Sequence, residues 1–169
     1  QRVFVVTGNG NVEAVLLASI VKAFDELPHK LEVETSRDLT YDETLARIAS
    51  LPADTIILCS SIFRDKTGQS FIPAEVAEQV AKTANVPVFA LVDSFVSRGL
   101  VGGSVRIPQD VGLRAGEVAA DFLNGKLELT KQPIVFETSS FPKYDWQQLK
   151  RWGADPALLP EGTQFLNRP

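Results

Sequence analysis

The amino-acid sequence predicts an α/β fold: a three-layer sandwich in which helices cover both faces of a mostly parallel, five-stranded sheet. Short apolar runs rich in β-branched residues alternate with segments of helical periodicity, and three of the runs are almost continuously apolar. Strands buried on both faces have this composition, and strands separated by helices are joined by right-handed crossovers. The 169 residues are 44% hydrophobic, which is enough for one core, so residues 1–169 are expected to form a single α/β domain.

Each predicted strand is a short apolar run bounded by polar or turn-forming residues. In chain order the strands are Val3–Val6, Leu31–Val33, Thr55–Cys59, Pro87–Val92 and Ile134–Phe136. The stretch around Gly102 and Gly103 is predicted to be a flexible loop that leads into a helix. Glycine permits such a loop because it lets the backbone approach a neighbour closely or adopt a positive φ.

Four helices are predicted between the strands from apolar residues spaced three or four apart. The positions expected to face the core are Val12, Leu16, Ala23 and Leu27 in the first helix, Leu45, Ile48 and Ala49 in the second, Val76, Val80 and Ala84 in the third, and Val111, Ala115, Val118 and Phe122 in the fourth. Thr40-Tyr-Asp-Glu43 has the form of a capping box, which marks the start of the second helix. Pro73 and Pro108 suit the first turns of the third and fourth helices, and Gly125 suits the end of the fourth.

A shorter helix is predicted near the end of the sequence. Asp145 suits its N-terminal cap, Trp146, Leu149 and Trp152 lie along it, and Gly153 suits its end. The prolines that follow favour an extended tail.

Composition and charge exclude several classes of function. The net charge is −4 and the 17 Lys and Arg residues are scattered, so nucleic-acid binding is not expected. No apolar run is long enough to span a bilayer, and the single cysteine, Cys59, rules out an internal disulfide. Because the sequence contains no methionine and begins directly in a strand-like run, we expect it to be a segment of a longer polypeptide.

Catalysis is not expected of this segment. His29 is the sole histidine and lies in a Pro-His-Lys turn on the far side of the predicted sheet, and no Gly-x-Ser-x-Gly elbow is present. Cys59 lies within a predicted strand, where a buried thiol is inert. The sequence has no cluster of His and Cys with metal-ligand spacing, so neither a metal nor a cofactor is expected.

Ligands of open α/β sheets bind beyond the carboxyl ends of the strands, which directs attention to three loops. The first, Thr7-Gly-Asn-Gly-Asn11, resembles a dinucleotide fingerprint but has Glu13 where the third glycine should be. Three interpretations stay open. The loop is a plain turn, a polar ligand contact through Thr7 and Asn9, or a phosphate cradle, and the cradle is the least favoured of the three.

The second loop, from Ser60 to Phe71, is longer than the roughly 2 to 6 residues usual for such connections, which favours a functional role. Arg64 and Asp65 suit either the charged groups of a ligand or a solvated ion pair. Phe63 and Phe71 suit either an apolar wall or anchors of the loop. The hydroxyls of Ser60 and Ser61 belong to the same candidate site.

The third loop follows the fourth predicted strand. Asp93 ends an apolar run and is expected either to contact a ligand or to cap the backbone amides of the turn, since a carboxylate at such a place needs a partner. Ser94 has the same two possibilities. Gly102 and Gly103 complete this candidate rim through their backbone.

From Asp54 onward, about two thirds of the sequence resembles a known family. The motifs that carry the resemblance are Ser-x-Phe-Arg-Asp-x-x-Gly from Ser61 to Gly68, Val86-Pro-Val88, Gly99-Leu-Val-Gly-Gly103, Gly112 with Gly125-Lys126, Asp145-x-x-Gln-Leu-Lys-Arg-Trp-Gly153, and Leu159-Pro160. In combination they resemble the periplasmic sensor domains of bacterial histidine kinases, which are similar to the solute-binding proteins of ABC transporters.

The resemblance implies one lobe of a type I periplasmic-binding-protein-like fold, in which a ligand closes two lobes around a cleft. It implies an N-terminal lobe before Gln1, a membrane helix after Pro169, an extracytoplasmic location and a small organic solute as ligand. The residues carried over to the cleft are Ser60, Ser61, Phe63, Arg64, Asp65, Asp93, Ser94, Gly102 and Gly103. A homodimer is a possible further assembly.

Two alternatives stay open at this point. A free solute-binding protein of an ABC transporter shares the fold and the ligand site. A small flavodoxin-like enzyme or cofactor binder shares the topology, but the broken glycine pattern and the missing catalytic residues disfavour it.

Overall fold

The computed structural model describes residues 1–128 and 140–169, which contain one seven-stranded sheet. The strands are β1 (Arg2–Val6), β2 (Glu32–Thr35), β3 (Thr55–Cys59), β4 (Val88–Ala90), β5 (Gly102–Arg106), β6 (Ser140–Asp145) and β7 (Gln164–Leu166). Their order in the sheet is β2-β1-β3-β4-β5-β6-β7. Strands β1 to β5 are parallel, β6 is antiparallel to β5, and β7 is parallel to β6.

Six α-helices accompany the sheet in the described residues. They are α1 (Asn11–Asp25), α2 (Tyr41–Ile48), α3 (Pro73–Thr83), α4 (Asp93–Val96), α5 (Pro108–Leu123) and α6 (Trp146–Arg151). A short 3₁₀ turn at Pro156–Leu158 precedes β7. None of these helices is long and apolar enough to cross a bilayer.

The apolar residues form two clusters, one on each face of the sheet. The larger cluster joins alternate residues of β1, β3 and β4, such as Phe4 and Ile57, to the inner faces of α2, α3 and α4. The smaller cluster joins Val3 and Val5 of β1 to Ile20 and neighbouring residues of α1. The predicted three-layer α/β architecture is therefore confirmed.

The strand predictions were right for the first part of the chain and incomplete afterwards. The predicted runs at Val3–Val6, Leu31–Val33, Thr55–Cys59 and Pro87–Val92 overlap β1 to β4, although β2 begins and ends later than predicted and β4 is shorter, while Ile134–Phe136 lies outside the described residues. The described part of the chain has seven strands, of which β5, β6 and β7 were not predicted. Strands β5 and β6 are interrupted by glycine, proline and charged residues, and β7 is only three residues long, so all three lack the apolar runs by which the others were found.

The predicted loop at Gly102 and Gly103 was wrong, because these residues begin β5. The prediction of a close backbone approach was right. Gly102 has a φ of 124°, and a Cβ atom there would collide with the carbonyl oxygen of Lys143 and the backbone of Tyr144 on β6. Glycine thus allows the antiparallel pairing of β5 with β6 at this position.

The helix starts were predicted well from local signals. Thr40 Oγ1 accepts a hydrogen bond from Glu43 N at 3.1 Å, and Glu43 Oε2 accepts one from Thr40 N at 2.7 Å, which completes the capping box of α2. Asp145 caps α6 by accepting from Gln147 N and Gln148 N. Gly125 and Gly153 have positive φ values of 71° and 67° just beyond α5 and α6.

The predicted inner faces of two helices were partly wrong. In the first predicted helix, Val12 is 69% exposed, and Leu27 is 46% exposed and lies beyond the end of α1. The predicted Leu16 does pack against the core, together with Ile20 and Phe24, which were not predicted. In α5 no residue is buried, although its apolar residues have helical spacing. Periodicity identifies a helix, but the sheet decides which side of the helix it covers.

Replacing Gly102 by Ala should lower the free energy of unfolding by about 2 kcal/mol or more, because the added Cβ meets backbone atoms of β6 and the φ is unfavourable for alanine. Gly112→Ala in α5 is the matched control. A Cβ at Gly112 meets nothing within 4 Å, so this variant should be neutral or up to about 1 kcal/mol more stable. Urea unfolding followed by circular dichroism measures both, and equal stabilities would contradict the packing argument.

Candidate functional site

The candidate site lies at the carboxyl edge of the central strands β1, β3 and β4. Val6 of β1 pairs with Cys59 of β3, so Thr7 and Ser60 follow these strands side by side. Asp93 follows β4 at the same edge. The order of the strands therefore brings together the ends of the three loops that the sequence pointed to.

Ser36, which follows β2, fixes the backbone at the end of β1. Its Oγ accepts a hydrogen bond from Thr7 N and donates one to Thr7 O, both at 2.8 Å. Ser36 is buried, with 2% of its surface exposed. Ser36 was not predicted as a site residue. It is the first residue after β2, so the rule that ligands bind beyond the carboxyl ends of strands would have selected it had β2 been considered.

The first two loops are joined through their backbones. Gly8 N donates to Ser61 O at 2.9 Å, and Asn9 N donates to Arg64 O at 2.8 Å. A Cβ at Gly8 would lie 2.5 Å from the carbonyl oxygen of Arg64, so only glycine fits there without a shift. The glycines of the first loop serve this close contact with the second loop.

Glu13, in the first turn of α1, is a buried carboxylate at the centre of this junction. Only 2% of its surface is exposed, and its Oε1 accepts a hydrogen bond from Phe63 N at 2.9 Å. Cβ atoms at Gly8 or Gly10 would collide with this carboxylate. Since the chain's own anion occupies the space beside the α1 N-terminus, the arrangement does not favour the phosphate cradle considered for the first loop.

Sequence reasoning treated Glu13 only as a misplaced residue in a glycine pattern. A signal was present, because a carboxylate in the first turn of a helix interacts favourably with the helix dipole. Its burial and its contact with Phe63, fifty residues away, depend on tertiary structure.

Asp65 is the second buried carboxylate of the site and organises the second loop. It accepts hydrogen bonds from Tyr41 N at 3.1 Å, from Thr67 N at 2.9 Å, from Thr67 Oγ1 at 2.6 Å and from Gln69 N at 3.2 Å. Burial acts to raise its pKa, but the hydrogen bonds from Thr67, Tyr41 and Gln69 outweigh burial and the pKa is lowered. Asp65 thus ties the loop after β3 to the first residue of α2, and its contact with a ligand stays a prediction.

Asp93 forms an ion pair with Lys143 of β6. The two side chains are 26% and 19% exposed, so the pair is largely shielded from water. The expected cap of the following turn by the Asp93 side chain is not observed, since α4 has no side-chain cap. Lys143 was missed because its strand was not predicted.

The other predicted site residues differ in how accessible they are. Arg64, Phe63 and Ser94 are exposed, whereas Asn9 and Ser61 are half-buried. Phe71 packs its ring on Tyr41 with centroids 4.6 Å apart, so it anchors the loop, and Phe63 is left 49% exposed. Gly102 and Gly103 belong to β5 and lie beside Phe89 and Ala90 of β4, and their contact with a ligand stays a prediction.

Two buried hydroxyl groups of the site have no hydrogen-bond partner among the described residues. These groups are Thr7 Oγ1 and Ser60 Oγ, on residues that are only 1% and 2% exposed. A buried hydroxyl without a partner costs free energy, typically about 1–3 kcal/mol. A molecule that supplies partners at this position would recover that cost.

Two further reactive side chains among the described residues are Cys59 and His29, which differ in burial. Burial raises the pKa of Cys59 to about 12, so its thiol is protonated and inert at neutral pH. His29 is exposed, in the turn that leads into β2. Within residues 1–128 and 140–169 no group of His, Cys, Asp and Glu could hold a metal ion.

Comparison with solved structures finds the same fold in two other proteins. The ligand-free, open structure of a substrate-binding protein with adhesive properties from Clostridium difficile superposes with a TM-score of 0.65 at 18% sequence identity. A conserved domain protein from Vibrio cholerae superposes with a TM-score of 0.62 at 20% identity.

The alignments cover 100% and 96% of this chain but only 55% and 54% of the two neighbours, so the chain spans about half of their length. No protein-family model matches the sequence, and a search of curated proteins returns no match.

Glu13→Ala should lower the free energy of unfolding by about 1–3 kcal/mol, because the partly buried Phe63 N–H loses its acceptor. Glu13→Gln keeps an oxygen in place and should lose less. Urea titrations of the three proteins test the order wild type, Gln, Ala. If Gln is as unstable as Ala, the negative charge rather than the hydrogen bond matters.

Asp65→Asn should destabilise the protein at pH 7, because an amide cannot accept all the hydrogen bonds that the carboxylate receives. The folded-state pKa is lowered, so the carboxylate contributes its full stability above the unfolded pKa of about 3.9 and loses it as the pH falls further. The difference between wild type and variant should therefore shrink below about pH 4. Unfolding at several pH values measures it, and Asp38→Asn, at an exposed position, should show no such trend.

Proposed function

We propose that this chain is the ligand-sensing lobe of an extracytoplasmic receptor and that it binds a small organic solute at the carboxyl edge of β1, β3 and β4. The observation that carries the proposal is the pair of buried, unpartnered hydroxyls, Thr7 Oγ1 and Ser60 Oγ, at the edge where open α/β sheets bind ligands. The proposal assigns recognition rather than catalysis to the segment, in keeping with the inert thiol of Cys59.

The chemistry of the edge favours recognition by hydrogen bonds from neutral groups. The buried carboxylates Glu13 and Asp65 receive hydrogen bonds from the protein's own backbone, and Asp93 is paired with Lys143. The hydroxyls of Thr7 and Ser60 are left to donate to and accept from a ligand. Exposed Phe63 and Arg64, at the rim, offer an apolar surface and a positive charge.

Helix α5 supports the proposal that a second lobe belongs to the complete receptor. It is sixteen residues long, yet none of its residues is buried, and its apolar side chains Val111 and Phe122 are 41% and 47% exposed. Most helices of globular proteins gain their stability by packing an apolar face. A second lobe of the same chain would cover this face and would form the other wall of the cleft.

The sheet face that carries α1 also has uncovered apolar residues. Ile56 pairs with Val3 and is 40% exposed, although it lies on a central strand. Leu58 and Phe89, further along the same face, are only half-buried. These residues, like those of α5, fit a unit that is completed by further polypeptide.

We further propose that closure of the two lobes is passed through a membrane helix to a histidine kinase module. This part of the proposal rests on the resemblance of the motifs between Ser61 and Pro160 to sensor domains. A soluble or anchored component of an ABC transporter is the second candidate, because one of the structures with this fold is a substrate-binding protein. The receptor and the transporter component share the ligand site and differ in what lobe closure drives.

The ligand site is tested by a thermal-shift screen with amino acids, organic acids, short peptides and purines, on the chain itself and on the longest native polypeptide that contains it. A ligand at 100 times its dissociation constant should stabilise the two-lobed protein by roughly 2.7 kcal/mol and the single lobe by much less. Equal shifts for both proteins would contradict a two-walled cleft.

Ser60→Ala and Thr7→Val then locate the site. Each variant removes a hydroxyl that has no partner, so the ligand-free protein should keep or slightly gain stability, whereas the ligand should bind about 2- to 10-fold more weakly. Thr55→Val is the matched control, because Thr55 Oγ1 is also buried and unpartnered but lies at the opposite edge of the sheet. The proposed location would be contradicted if the Thr55 variant lost ligand binding, or if all three variants bound the ligand like the wild type.

Signalling is tested separately with the full-length parent in membranes. The ligand found in the screen should change kinase autophosphorylation in the wild type and less so in Ser60→Ala. Ligand-dependent solute uptake without any phosphorylation would favour the transporter component instead.

A further inference from the structure

The amino edge of the sheet, opposite the candidate ligand site, carries a cluster of aromatic and cationic side chains. We call it the aromatic–cation cluster and define it as Trp146, Lys150, Arg151, Trp152 and Arg168. It is built on α6, which follows β6 at this edge, and on the residues just after β7. Both tryptophans of the protein belong to it.

Each cation of the cluster is stacked on a ring. Lys150 Nζ lies 5.6 Å and the guanidinium carbon of Arg168 lies 5.1 Å from the centroid of the Trp146 ring. The guanidinium carbon of Arg151 lies 4.9 Å from the Trp152 ring. Phe165 of β7 supports Trp146 edge-on at 5.4 Å. These contacts hold three positive charges at the surface in fixed positions.

The three cations are exposed, and none of them forms an ion pair with a carboxylate in the described part of the chain. Asp145 lies beside them but is buried, and it receives hydrogen bonds from Gln147 N, Gln148 N and Asn167 Nδ2. By contrast, Arg2 and Arg47 at the other end of the same edge are paired with glutamates. Among residues 1–128 and 140–169, therefore, no ion pair neutralises the positive charge of the cluster.

A groove of about 530 Å³ extends this positive surface. Arg151 lines it together with Lys82, Arg98 and Gln148. Glu78 forms ion pairs with both Lys82 at 2.6 Å and Arg98 at 3.1 Å, so one carboxylate is shared between two cations. The groove thus has a net positive lining in a chain whose total charge is −4.

We propose that this edge binds the surface of a membrane that contains anionic phospholipids. The cations of the cluster and the groove contact lipid phosphates, and the two tryptophan rings lie at the level of the headgroups, where amphipathic aromatic rings partition favourably. The cations are spread over an open surface on flat rings instead of converging in a pocket, which suits a sheet of headgroups. This surface is independent of the ligand site at the opposite edge.

Tryptophan emission during vesicle titration tests the proposal directly, because both tryptophans report from the cluster. Vesicles of phosphatidylcholine with phosphatidylglycerol should shift the emission to the blue and should carry the protein down on sedimentation. Vesicles of phosphatidylcholine alone should do neither. Binding should weaken as salt is raised towards 0.5 M, since the attraction between exposed charges is screened, with a screening length of about 10 Å at 0.1 M.

The triple variant Lys150→Gln, Arg151→Gln, Arg168→Gln should bind the anionic vesicles on the order of 100-fold more weakly, about five-fold for each charge removed. The triple variant Lys22→Gln, Lys30→Gln, Arg114→Gln has the same net charge but keeps the cluster, and it should bind like the wild type. Trp152→Ala, which keeps every charge, should also bind more weakly. Circular dichroism confirms that each variant is folded.

Three outcomes would overturn the proposal. Equal binding to neutral vesicles would show that charge is not involved, and equal losses in both triple variants would show that net charge rather than this edge matters. Absence of vesicle binding together with salt-sensitive binding to soluble poly-glutamate would assign the cluster to an acidic protein. None of these results would affect the ligand screen, so failure here and failure of the proposed receptor function are distinguishable.

Discussion

Two buried carboxylates hold the candidate site in its shape. Glu13 accepts a hydrogen bond from the backbone of Phe63, and Asp65 accepts hydrogen bonds from Thr67, Gln69 and the first residue of α2. Without these acceptors the long loop after β3 would expose unpaired backbone amides at a buried junction, which is unfavourable. The position of the loop, and with it the place of Ser60, depends on these two side chains.

The same carboxylates determine what the site offers to a ligand. Because backbone donors of the protein satisfy Glu13 and Asp65, and Lys143 neutralises Asp93, most of the fixed charge of this edge is used internally. The groups without partners are the neutral hydroxyls of Thr7 and Ser60. A site of this kind selects a solute by the geometry of hydrogen bonds more than by charge, and a phosphate at the start of α1 would meet the carboxylate of Glu13 instead of free amides.

The two edges of the sheet differ in kind. At the carboxyl edge, loops converge and their polar groups are buried, which suits a small molecule held between two walls. At the amino edge, α6 and the end of the chain present cations on aromatic rings over an open surface, which suits a broad anionic partner. Strand β6 contributes to both edges. Its Lys143 forms the ion pair with Asp93, and its last residue, Asp145, caps α6.

The sequence by itself determined the α/β class, strands β1 to β4, the starts of the helices and the loops to be searched, because apolar periodicity and caps act within a few residues. Only the tertiary structure revealed β5 to β7, whose irregular sequences are strands because they pair with neighbouring strands. The same difference between local and long-range interactions explains which site residues were predicted. Thr7, Ser60 and Asp93 follow strands and were found, whereas the burial of Glu13 and the pairing of Lys143 with Asp93 arise from contacts fifty residues apart, which local patterns do not encode.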